Sequence, residues 1–90
     1  MRPDLVTSPK SRLRGLNIEH VNEEEGWSIA TFEWLHEDGQ WRKRIGMRWN
    51  GADGALGNPI ARNNFATWFS LPESVDLKGI MALFVGEVDA

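Results

Sequence analysis

Two runs of alternating residues, 27–36 and 41–49, flank the dipeptide Asp38-Gly39. Alternation of period two sends successive side chains to opposite faces of a strand. Asp-Gly between two such runs is a strong hairpin signal, because a tight turn needs the positive φ that these residues tolerate. A two-residue turn at Asp38-Gly39 pairs Trp34 with Lys43, Phe32 with Ile45, Ala30 with Met47 and Ser28 with Trp49. This register gathers Phe32, Trp34, Trp41, Ile45, Met47 and Trp49 on one face. Thr31, Glu33, Arg42, Arg44 and Arg48 take the other, with Glu33 opposite Arg44. The aromatics then turn toward a core and the guanidinium groups toward water.

The flanking segments fill out the fold. Residues 13–21 place Leu16 and Ile18 on one parity with His20, a short first strand, and the polar stretch 22–26 makes a turn. The long connection 50–64 carries Gly51, Gly54, Gly57 and Pro59; loops of this length are functional or are ordered by contacts. Residues 65–71 alternate Phe65, Thr67, Phe69 and Leu71 with Trp68 on the opposite parity, a strand expected to be buried on both faces. Ser70-Leu71-Pro72-Glu73 resembles a helix start. Leu77, Ile80, Met81, Phe84 and Val88 then form one helical stripe, the alternative being a short turn of helix followed by a strand over 80–85. Residues 1–12, with Pro3 and Pro9 and no periodicity, read as a flexible arm ahead of a single domain over 13–90. The expected fold is α+β: an antiparallel β-meander of three or four strands with a C-terminal helix packed on one face, that of Trp34, Trp41 and Trp49.

Ninety residues suffice for one core. Five tryptophans and four phenylalanines, each able to bury about 150–250 Å², supply its driving force. With no cysteine there is neither a disulfide nor a thiolate zinc site, which fits a reducing compartment. The apolar stretch 80–85 is too short to span a bilayer and residues 1–16 lack a signal-peptide core, so the expected location is cytoplasmic, away from membranes. The net charge of −3 hides segregation: residues 1–15 carry +3, residues 42–48 carry +4, and −10 falls on the rest, partly at Glu23-Glu24-Glu25.

Chemistry-bearing constellations are sparse. His20 and His36 are the only side chains whose ordinary pKa suits a general base, and neither belongs to a recognisable nucleophile motif. His20 with Glu23 and Glu24 has no metal-site spacing, and Asn50-Gly51-Ala52-Asp53-Gly54 lacks the terminal glutamate of a calcium loop. Gly51, Gly54 and Gly57 match no nucleotide fingerprint. The sequence therefore argues against an enzyme and calls for no cofactor. What stands out is the row Arg42, Arg44 and Arg48 beside Trp27, since arginine next to exposed aromatics is the composition of binding hot spots. With Asn50 and Arg62 from the long connection, these residues form the candidate partner-binding set. The same face, with its backbone-tracking charge and stacking rings, would also suit single-stranded nucleic acid.

The strings Arg48-Trp49-Asn50-Gly51, Gly57-Asn58-Pro59-x-x-Arg62 and Trp68-Phe69-Ser70-Leu71-Pro72 resemble a pattern in small bacterial proteins without an assigned activity. The likeness covers residues 48–72 and implies only that the loop conformation matters, with Asn50 and Arg62 holding backbone groups. A small acidic domain of this kind also resembles phage-encoded antagonists of host defence, anti-CRISPR proteins among them. The reading that results is a non-catalytic protein-binding or regulatory module of bacterial or mobile-element origin, monomer or homodimer, with single-stranded nucleic-acid binding as the alternative.

Overall fold

A computed structural model describes residues 1–52, 54–61 and 65–86. β-branched and aromatic residues build three long strands, β1 (Leu13–Asn22), β2 (Trp27–Leu35) and β3 (Trp41–Trp49). They are followed by the two-residue strands β4 (Ile60–Ala61), β5 (Phe65–Ala66) and β6 (Phe69–Ser70), and by the helix α1 (Leu77–Phe84). β1, β2, β3 and β6 form one antiparallel sheet in that order, and β4 pairs with β5 in a separate ribbon. The chain is thus an α+β protein with a meander and a C-terminal helix. Among the described residues, no helix is long and apolar enough to cross a membrane.

The hairpin register differs by one residue from the expected pairing. Leu35 faces Trp41, Trp34 faces Arg42, Phe32 faces Arg44, and Ser28 faces Arg48. The turn explains the difference. Gly39 N–H donates to the His36 carbonyl and His36 N–H donates to the Gln40 carbonyl, both at 2.9 Å, so the loop holds three residues, Glu37, Asp38 and Gly39. The loop closes on a left-handed residue, Gly39 at φ 83°, as three-residue hairpin loops commonly do. Asp38 reinforces it by accepting from Gln40 N–H at 2.9 Å. One extra loop residue inverts the parity of β3 against β2. Arg42, Arg44 and Arg48 consequently share a face with Phe32 and Trp34, while Trp27, Ile29, Ile45 and Met47 share the other.

Both faces of the sheet are covered. Under the first, Val6, Leu13, Ala30, Phe32, Ala66 and Trp68 form a core. Within residues 1–12, Val6 joins this core at 1% exposed, and its carbonyl accepts from Trp68 Nε1 at 2.8 Å, while Arg2, Asp4, Leu5, Lys10, Ser11 and Arg12 are exposed. On the second face, Ile80 of α1 packs against Trp27, Ile29 and Ile45. The helix therefore does not lie on a Trp34, Trp41, Trp49 face. Trp34 is turned to the opposite side, and the Trp41 ring lies outside the helix under the Arg14 guanidinium, 4.0 Å from its centroid. Glu33 pairs with Arg14 at 2.9 Å and not with Arg44.

The C-terminal third also departs from expectation. Residues 65–71 are not one strand buried on both faces. Ala66 and Trp68 are buried, whereas Phe65 and Phe69 are exposed. Ser70 lies in β6, and Leu71 N–H continues the pairing by donating to the Ile45 carbonyl at 2.8 Å, so no helix begins there. The cap is Asp76, whose carboxylate accepts from Gly79 N–H at 2.6 Å. The helical alternative for the apolar stripe is the one realised through Phe84; Val88 lies outside the described residues.

Candidate functional site

The buried end of the arginine row organises the loop after β3. Arg48 is 3% exposed, its guanidinium donating to the carbonyls of Leu56 and of Thr67, the latter at 2.6 Å. Burial lowers its pKa from the ordinary guanidinium value, yet arginine remains charged at neutral pH. Among the described residues no carboxylate pairs with it, so carbonyl dipoles alone balance the charge. Asn50 is also buried, its Nδ2 donating to Ser28 Oγ at 2.7 Å. The loop then returns to β3 through a two-way bridge between Trp49 and Asn58. Gly57 sits so close to the Trp49 carbonyl that a Cβ there would collide with it.

This arrangement raises one wall of an apolar groove. Trp27, Met47, Trp49, Pro59, Phe69 and Phe84 line a cavity of about 510 Å³ between the β3–β6 edge, the loop and the end of α1. Its floor is fixed: Trp27 is buried, meets Phe84 edge-on at a centroid separation of 6.1 Å, and has His20 on another side at 5.5 Å. The rim is open, with Trp49 56%, Phe69 60% and Phe84 47% exposed. These large apolar side chains thus converge on one exposed patch instead of being scattered singly. Beside the groove runs the acidic turn Glu23-Glu24-Glu25, exposed throughout, and Glu25 accepts from Trp27 Nε1 at 2.8 Å.

The residues expected to form one binding face are thus dispersed. Trp27 is buried on the helix side. Arg48 and Asn50 are interior supports of the loop. Arg42, paired with Asp38 at 2.5 Å, and the half-buried Arg44 lie together at the hairpin end of the other face. Arg62 lies outside the described residues. Backbone accounting explains the burial of Arg48: an irregular loop needs donors for its carbonyls, and a guanidinium carries five. The groove aromatics were missed because Phe69 and Phe84 fall within apolar periodicities that ordinarily mean core. Neither imidazole hydrogen-bonds a hydroxyl among the described residues; His36 meets only arginines. Comparison with known proteins finds no matching family model, no matching curated protein and no matching solved structure. The functional reading therefore rests on the geometry of this chain.

Proposed function

We propose that the chain is a non-catalytic protein-binding module whose groove takes the apolar side chains of a basic, amphipathic segment of a partner. The observation that carries this reading is the convergence of the exposed Trp49, Phe69 and Phe84 on a pocket floored by Trp27 and Met47. Tryptophan, phenylalanine and methionine are the residues from which interface centres are built. The exposed acidic turn Glu23-Glu24-Glu25, tied to the groove floor through the Glu25–Trp27 hydrogen bond, favours positive charge in the occupant over acidic competitors. The binding face moves, on this reading, from the arginine row to the opposite side of the sheet.

Selection of displayed random peptides on the intact chain tests the proposal. Enriched peptides are expected to combine two or more large apolar residues with lysine or arginine, and to lose binding to Phe69→Ser and Trp49→Ser variants. Acidic or purely polar peptides, or peptides that bind both variants as well as the parent chain, would overturn it. Dimerisation that disappears in Phe69→Ser would also overturn it, by identifying a second copy as the occupant.

A further inference from the structure

We infer that the pocket at the hairpin end, on the face of the sheet opposite the aromatic groove, binds a phosphoryl group. Arg12, Trp34, His36, Arg42, Arg44 and Ser70 line a cavity of about 680 Å³ there, with the carboxylates of Glu37 and Asp38 at the hairpin tip also on its border. Its three guanidinium groups come from the segment ahead of β1 and from two successive positions of β3 on the same face. Only Arg42 has a carboxylate partner among the described residues, Asp38 at 2.5 Å. Arg12 and Arg44 instead donate to backbone carbonyls, of Leu35 at 2.8 Å and of Leu71 at 2.5 Å. Each guanidinium has five N–H donors, so these contacts leave most of them unused.

Hydrogen bonding is incomplete at two of the lining residues. Arg44 Nε and Ser70 Oγ are both buried without a partner. Buried donors in that condition are uncommon and costly. His36 has Nδ1 3.4 Å from Arg42 Nη1 and Nε2 3.4 Å from Arg44 Nη1. A neutral imidazole accepts at one nitrogen only, so one of these contacts sets donor against donor. An oxyanion between the arginines resolves the conflict, accepting from both guanidinium groups and from the ring N–H.

The arrangement favours a tetrahedral anion over a planar one. A single arginine fork satisfies a carboxylate, and Asp38 already supplies one. Arg12, Arg42 and Arg44 border one cavity, offering three cations to a phosphate monoester, which has three terminal oxygens and a charge of about −1.5 to −2 that exceeds a carboxylate's. Arg48, the third member of the β3 row, takes no part.

Titration with inorganic phosphate, adenosine 5′-monophosphate and phosphoserine at constant ionic strength, followed by NMR of the arginine Nε–H and backbone amide signals, tests the inference. The expected result is saturable shifts at Arg44 Nε–H, Ser70 and His36. The ligand that binds most tightly identifies the source of the phosphoryl group. Arg12→Gln, an exposed position whose change leaves the core intact, should weaken binding by about tenfold, the loss of one charge-assisted contact. Arg44→Gln should do the same, with far-UV circular dichroism reporting whether the fold survives, while Phe69→Ser across the sheet should have no effect. Shifts reproduced by sodium chloride, affinity for acetate equal to that for phosphate, or unchanged affinity in Arg12→Gln would overturn it.

Discussion

Arg48 Nη1 donates to the carbonyl of Thr67 at 2.6 Å from a position almost wholly removed from water, and its other terminal nitrogen reaches the carbonyl of Leu56. One side chain thereby ties two irregular segments to the central strand. Arg48→Met keeps a stem of similar bulk and abandons both carbonyls. A loss of about 3 kcal/mol is expected from two unsatisfied acceptors. Arg48→Lys, which can serve one of the two, should cost less. Urea unfolding of the three proteins gives the order directly.

Asp38 lies at the turn that sets the register. The Gln40 N–H it accepts holds its carboxyl below the usual range, with the neighbouring Arg42 charge acting in the same direction. A depressed folded-state pKa means the unfolded chain binds the proton more readily. The contribution is therefore complete above the unfolded carboxyl pKa of about 3.9 and is lost as pH falls through the lower folded value. The urea midpoint should decline below about pH 4 in the parent chain, and less steeply in Asp38→Asn.

Gly46 is required by close approach. A Cβ there would stand 2.6 Å from the Phe32 ring and 3.0 Å from Trp68 Cβ. Gly46→Ala should destabilise by about 1–3 kcal/mol, since ring and backbone are both held by the core. The double variant with Phe32→Leu should lose less than the sum of the two single losses, a coupling that a thermodynamic cycle measures.

Asp76 caps α1 with its own carboxylate. Asp76→Ala should cost about 1 kcal/mol. Because the helix has only eight residues, the loss should appear first as faster amide exchange at Gly79 and Ile80, ahead of any change in the sheet.

Much of the architecture is legible in the residues. The alternation within 27–35 and 41–49 marks β2 and β3 closely, and the stripe from Leu77 to Phe84 marks the helix. The facing of β3 is not legible, because Asp-Gly serves a two-residue turn and a three-residue turn equally well. Only the contacts of His36 with Gly39 and Gln40 decide between them. Arg48 illustrates the second limit. Nothing in local polarity distinguishes an arginine that will solvate itself from one that will satisfy carbonyls 8 and 19 residues away. The burial of Val6 is illegible for a related reason: it lies in an aperiodic segment beside the exposed Leu5, and its burial depends on Trp68, 62 positions distant. The groove then follows from long-range placement of Phe69 and Phe84 against Trp27.

The loop of Glu37, Asp38 and Gly39 acts as a spacer whose count matters more than its chemistry. Surface hairpin tips ordinarily accept insertions and deletions freely. Here, shortening the tip by one position would rotate every β3 side chain by half a turn, driving Trp49 and Met47 under the N-terminal segment and expelling Arg48 from the carbonyls it serves. Tolerance to length change in this protein should thus be lowest at one of its most accessible points.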